Sequence, residues 1–167
     1  MVKNAPSGSQ GCAAPSGWMT VELFEQWMIN FVKHTNPTKE SPNLLIMDNH
    51  ESHISLASIK FAKENNINLL TLPPHTSHRL QPLDKAVFGP LKKYYSHGCQ
   101  NWLLKNPGKR ITIYDIAEIL SDAYPLAFCP KNVVSAFKAT GVFLFNDNIF
   151  NDDDFMASTV TDMPNIY

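Results

Sequence analysis

From Val21 onward the apolar side chains Val21, Leu23, Phe24, Trp27, Met28, Phe31 and Val32 recur at three- and four-residue intervals. That spacing is one face of an amphipathic helix, with Thr20 as a good N-cap. The pattern predicts a helix to about His34, broken by Asn36-Pro37. Asn43 to Asp48 is a short apolar run that reads as a strand buried on both faces. A polar turn, Asn49 to His53, precedes a helical pattern through Leu56, Ile59, Phe61 and Ala62 that ends at Asn65-Asn66. Ile67 to Leu72 reads as a second buried strand, closed by Pro73-Pro74. Strand, helix, strand, with a helix before them, predicts parallel strands in an α/β sheet.

Beyond a polar loop from His75 to Pro82, the pattern turns helical. A long helix is expected from near Asp84 through Val87, Phe88, Leu91, Tyr94 and Tyr95 towards Leu104, with Pro90 marking a boundary or kink. A second is expected from Thr112 through Tyr124. A third starts at Pro130, whose fixed φ suits a first turn, and stops at Gly141. Trp18, Trp27 and the other aromatics at helical spacing are expected in the core.

Composition changes this picture only at the ends. Residues 1 to 17 are rich in Gly, Ser, Ala and Pro, which buries too little apolar surface for order. The expected division is a disordered or severed segment over residues 1–15, one domain over 16–145, and an acidic flexible tail over 146–167 containing the solvated run Asp152-Asp153-Asp154. A formal charge of −1 leaves any nucleic-acid contact to a local patch. Cys12, Cys99 and Cys129 form no Cys-x-x-Cys pair, which fits reduced thiols inside a cell. No apolar run reaches the ~18 residues of a membrane span, so a soluble intracellular protein without membrane partner is expected.

Two carboxylates are candidates for chemistry. Ligands of open α/β sheets bind beyond the carboxyl ends of the strands, where Asp48 stands; Asp84 follows the second strand after Gln81-Pro82-Leu83. Hard divalent cations take oxygen ligands and can activate a water against a phosphodiester. Each residue also has a plainer reading, Asp48 accepting turn hydrogen bonds and Asp84 capping a helix, and position alone favours it. His50, His53, His75 and His78 flank the strand ends. Hydrogen bonding within the turns is favoured for them over a transition-metal site. Lys92-Lys93-Tyr94-Tyr95, with Lys109 and Arg110, interleaves basic and aromatic residues as a phosphate-contacting surface can; a solvated helix face with Tyr94 and Trp102 in the core fits nearly as well.

The wording around the two carboxylates adds to this. Leu45-Ile46-Met47-Asp48-Asn49-His50-Glu51-Ser52-His53 and Leu72-Pro73-Pro74-His75-Thr76-Ser77-His78-Arg79-Leu80-Gln81-Pro82-Leu83-Asp84 resemble, in the right order, the regions of the second and third catalytic carboxylates in the pogo/Tigger/jerky branch of DDE transposases. Ser16-Gly17-Trp18-Met19, Val87-Phe88-Gly89-Pro90-Leu91-Lys92 and Thr140-Gly141-Val142-Phe143 extend the resemblance to about Phe155.

This resemblance implies a ribonuclease-H-like α/β fold, partial because its early strands are missing, with a helical C-terminal part. It implies DNA as partner, a nuclear location, a homodimer, no small-molecule cofactor, and Mg²⁺ or Mn²⁺ held by Asp48 and Asp84 for strand cleavage and transfer. His50, His53, His78, Lys92, Lys93, Lys109 and Arg110 are expected to contact DNA or support the site. The family's first carboxylate belongs on an earlier strand, yet residues 1 to 47 contain no Asp, and Glu22, Glu25 and Glu40 lie on a helix or a connection. A transposase-derived, truncated domain inactive on its own is therefore expected. A domesticated, non-catalytic DNA-binding or protein-interaction module, as centromere protein B is, stands as the alternative, and a fragment with an exposed apolar edge and no stable fold as a third.

Overall fold

The computed structural model describes residues 2–155; the part of the expected acidic tail beyond Phe155 lies outside them. The chain forms two compact units, residues 12–77 and residues 1–11 with 78–167.

The first unit opens with α1 (Val21–Thr35). Thr20 is its N-cap, the hydroxyl oxygen accepting from the Leu23 N–H at 3.3 Å and satisfying one of the helix's orphan donors. The helix ends at Asn36, whose left-handed backbone (φ 45°) lets its N–H bond the Val32 carbonyl. β1 (Asn43–Met47) and β2 (Ile67–Thr71) pair in parallel, Asn43 beside Ile67 and Met47 beside Thr71. The crossover between them carries a 3-10 turn, Glu51–His53, and α2 (Leu56–Glu64).

One face of this two-stranded sheet is covered. Met47 and Ile67 join Phe24, Met28 and Ala62 in a core, with Leu45 and Leu69 packed against it; each fully buried side chain of this size contributes about 1.5–3 kcal/mol. The expectation of strands buried on both faces fails, because side chains alternate along a strand and no second layer lies over the other face within this unit: Leu44 is 54% and Leu70 46% exposed. The tryptophans also depart from expectation. Trp18 precedes α1 and is 76% exposed; Trp27 sits beside the buried Phe24/Met28 stripe, stacked on Phe24 and Phe31 at its margin.

The second unit is helical. The connection expected as an irregular polar loop contains α3 (Ser77–Leu80), followed by α4 (Pro82–Ala86), α5 (Phe88–Lys105), α6 (Ile116–Ala127) and α7 (Pro130–Ala139). The break near Pro90 falls instead at Val87, and Pro90 lies in the first turn of α5. A proline is tolerated there because first-turn N–H groups have no intrahelical acceptor. α6 begins four residues later than its periodicity suggested, since Thr112 is tied into a turn by the Asp115 carboxylate, which accepts from its N–H at 2.8 Å and its hydroxyl at 2.7 Å. α5 packs on α6, whose buried stripe is Ile119, Ala123 and Ala127, and α4 packs on α7. Pro130 is at the start of α7, and Gly141 takes φ 70° just past its end.

Asp154 is not part of a solvated run. Its carboxylate meets the Arg79 guanidinium at 3.0 Å and is 24% exposed, and Phe150 and Phe155 pack edge to face beside it.

Candidate functional site

Asp48 stands immediately beyond the carboxyl end of β1 with its side chain 45% exposed. Two groups hold its Oδ1. The His50 backbone N–H donates to it at 3.2 Å, the tight Asx turn that an Asp-Asn-His sequence can make. His53 Nδ1 lies 2.8 Å away, close in distance but outside hydrogen-bond geometry. Oδ2 makes no hydrogen bond or ion pair among the described residues.

The two imidazoles of this turn do different work. The His50 ring lies 2.8 Å from the buried Ser52 hydroxyl through Nδ1, and the same nitrogen accepts from the Ser52 N–H at 3.3 Å. Since a backbone N–H only donates, Nδ1 of His50 is an acceptor and is spent inside the turn. His53 packs its ring on Phe24 with centroids 4.6 Å apart. Among the sequence candidates, then, Asp48, His50 and His53 are brought together within the first unit. Ser52 and Phe24 were missed. A Ser two residues after a turn His was a signal for the first; nothing local signals Phe24, which reaches the turn from α1.

Asp84 lies in the second unit as the third residue of α4, exposed, with Gln81 at the cap position. The plainer reading of Asp84 as N-cap is thereby corrected. A carboxylate in the first turn still interacts favourably with the helix dipole. His78 is exposed on α3, and His75 precedes that helix with φ 59°. Lys92 and Lys93 are exposed on α5, with Tyr94 40% exposed beside them and Trp102 half-buried. Lys109 and Arg110 are exposed beyond the end of α5, Lys109 Nζ donating to Asn106 Oδ1 at 3.3 Å.

The carboxylate oxygens of Asp48 suit a hard divalent cation in donor type. In number the described residues fall short: no group of three His, Cys, Asp or Glu side chains among them gathers where one ion could be held. This also disposes of a four-histidine centre among the described residues.

Residues 8–137 match the family model described as DDE superfamily endonuclease. The chain is 39% identical over 128 residues to a protein of Cochliobolus lunatus named MFS-type transporter clz9, covering 76% of this chain and 14% of that protein. It is 30% identical over 101 residues to the mouse protein named Pogo transposable element with KRAB domain and 29% identical to the human one, covering 59% of this chain and 16% of each relative. The chain thus spans about one seventh of the length of these relatives. No solved structure matches it. Among the described residues no helix is long and apolar enough to cross a membrane.

Proposed function

The chain belongs to the DDE superfamily endonuclease family, and we propose that it is a transposase-derived, DNA-binding domain that retains two metal-ligating carboxylates, Asp48 and Asp84, and does not cut DNA on its own. The observation that carries the reading is the coincidence of the family match with Asp48 held at the end of β1 by His50 and His53. A ribonuclease-H-like fold, a partnership with DNA and a nuclear location belong to the same reading.

Asp48 in the first unit and Asp84 in the second would each offer carboxylate oxygens of the type Mg²⁺ or Mn²⁺ takes, and such an ion would supply activation of a water and stabilisation of the leaving oxygen of a phosphodiester. The chain's own residues contribute binding and orientation. Lys92 and Lys93 on α5, with Lys109 and Arg110 beyond it, are exposed cations able to neutralise backbone phosphates. Inactivity of the chain alone is supported by the absence of Asp from residues 1–47 and by the lack of a three-ligand group among the described residues. That observation also favours the second reading, a module kept for binding and no longer for cleavage.

The test is a supercoiled plasmid incubated with the 167-residue chain and Mg²⁺ or Mn²⁺, beside a gel-shift titration over salt. The reading expects retention of DNA that weakens steeply as salt rises, weaker retention after Lys92→Ala and Lys93→Ala together, and no nicking. Nicking that Asp48→Asn abolishes would overturn inactivity while keeping the ancestry. Failure to retain DNA at low salt would overturn DNA binding.

A further inference from the structure

We propose that the groove between α2 and β2 is a docking site for an extended segment of a partner protein, which adds to the open edge of β2 as a third strand and sets an acidic side chain against Lys63. The site uses none of the residues assigned to metal or DNA, so it stands or falls separately from them.

Among the described residues β2 has β1 as its one neighbour. The Asn43 N–H donates to the Asn66 carbonyl at 3.1 Å, and the Leu72 N–H donates to the Met47 carbonyl at 2.9 Å. Alternate residues of a parallel strand face the same neighbour, so in this register Asn66, Asn68, Leu70 and Leu72 turn their backbone groups to β1. The N–H and C=O groups of Ile67, Leu69 and Thr71 therefore point the other way, and none of them has a backbone partner among the described residues. An edge of this kind pairs readily with an added chain unless charge, proline or a bulge guards it. The five residues of β2, Ile-Asn-Leu-Leu-Thr, carry neither charge nor proline. At ~3.3 Å per residue the edge is about 16 Å long, enough for a strand of ordinary length.

The surface beside that edge is concave and largely apolar. A groove of about 690 Å³ runs between Ile59, Ala62 and Lys63 of α2 and Ile67, Leu69 and Thr71 of β2, with the core residue Met47 also lining it. Side chains of an added strand alternate between the two faces of the sheet, so every second one enters this groove. Lys63 is the charged residue of the lining; it is exposed and makes no ion pair among the described residues. Main-chain bonds along the edge supply affinity, and alternate apolar side chains with one carboxylate supply specificity, which is how sheet edges recognise extended peptides. A second copy lending its own β2 fits less well, because Ile67–Thr71 contains no carboxylate to meet Lys63.

A random-peptide display library panned against the full 167-residue chain tests this. The expected winners alternate apolar, β-branched residues with others and carry one aspartate or glutamate, whereas winners against Lys63→Glu carry lysine or arginine in its place. One winner is then synthesised and its affinity read by fluorescence anisotropy. Methylating the peptide nitrogens that face β2 should weaken binding more than about 10-fold through the lost main-chain bonds, while methylating the alternate nitrogens leaves it unchanged. Ile59→Asp, which puts a charge in the groove wall, should weaken binding at least about 10-fold, and Lys63→Glu about 2–5-fold. Ile59 is 46% exposed and Lys63 is exposed too, so both variants are expected to melt as the unsubstituted chain does; Lys63→Glu and the methylated peptides decide the matter if Ile59→Asp proves unstable. The proposal is overturned if no peptide is enriched, if the winner binds a folded Ile59→Asp undiminished, if the two methylation patterns act alike, or if Lys63→Glu neither weakens binding nor changes the charge selected. It is also overturned if the chain self-associates in sedimentation and Ile59→Asp makes it monomeric, because the occupant is then a second copy.

Discussion

The Ser55 hydroxyl donates to Glu25 Oε1 at 3.1 Å, fastening the first turn of α2 to α1. The same oxygen accepts from the Ser58 N–H at 3.0 Å as the N-cap of α2 and lies 2.9 Å from the Ser58 hydroxyl, which is fully buried. Ser55→Ala thus removes a cap, worth ~1 kcal/mol, and strips a buried hydroxyl of a partner, at ~1–3 kcal/mol. We expect a loss of about 2 kcal/mol in urea unfolding, against about 1 kcal/mol for Glu25→Gln, which keeps an acceptor for Ser55. Equal losses in the two would place the effect in the α1–α2 contact and not in the cap.

Arg79 and Asp154 tie α3 to the 3-10 turn Asp152–Phe155 in a pair that is 37% and 24% exposed. Exposure at Arg79 limits such a pair to less than about 1 kcal/mol. Asp154 also accepts from the Asn151 N–H through Oδ2 at 3.1 Å, a bond indifferent to salt. Asp154→Asn is expected to cost less than about 1 kcal/mol at low ionic strength, with the difference shrinking near ~1 M salt, where screening acts within ~3 Å. Urea titrations at the two salt concentrations check this. A loss independent of salt would assign the stabilisation to the Asn151 bond.

Much of the first unit was legible from period and punctuation. Seven apolar positions at helical spacing after Thr20 gave α1, and two short apolar runs separated by a helix gave the parallel pair. Local signals failed where a residue's partner decides. Whether Leu44 and Leu70 are covered depends on what lies over the sheet, and Trp27 misses the core by one step around α1, which hydrophobicity cannot register. Asp115 drew Thr112 out of α6 because a carboxylate within reach of a hydroxyl and an N–H outcompetes a helical start. At the candidate site, Asp48 and the turn histidines were readable from strand end and composition. The role division between His50 and His53 was not, since it depends on Ser52 and on a ring from α1.

The Thr112 hydroxyl and N–H both donate to Asp115 Oδ2, and these bonds, helped by the charge of Lys109, hold its carboxyl below the ordinary aspartate value of 3.8. The sign follows from linkage. A folded-state pKa below the unfolded one stabilises the turn above the unfolded value, and the contribution is lost as pH falls through the folded value. An NMR titration of the Asp115 side-chain carbonyl is expected to show a midpoint below the usual range, rising towards it in Thr112→Val, which deletes the leading hydroxyl bond. An unchanged midpoint would move the cause to the backbone N–H and Lys109.

Gly98 faces α6, and a Cβ placed on it would come 2.9 Å from Ile119 Cγ2. Two opposed terms decide the outcome of Gly98→Ala. An alanine inside a helix gains ~1 kcal/mol over glycine in backbone propensity, whereas overpacking costs ~1–3 kcal/mol. The obstructing methyl belongs to a β-branched side chain with a single favoured helical rotamer, so it yields only if α5 and α6 separate. Overpacking should therefore win, leaving Gly98→Ala destabilised by about 1 kcal/mol. Ile119→Leu moves the branch one carbon outward and removes Cγ2. On that background the same Gly98→Ala is expected to stabilise by up to about 1 kcal/mol, so its effect changes sign between backgrounds. A double-mutant cycle in urea measures the coupling directly. If Gly98→Ala costs the same with Ile119 intact and on the Ile119→Leu background, the methyl is not the obstacle, and the next atom, the Ile119 carbonyl oxygen at 3.6 Å, is at ordinary contact distance from the added carbon.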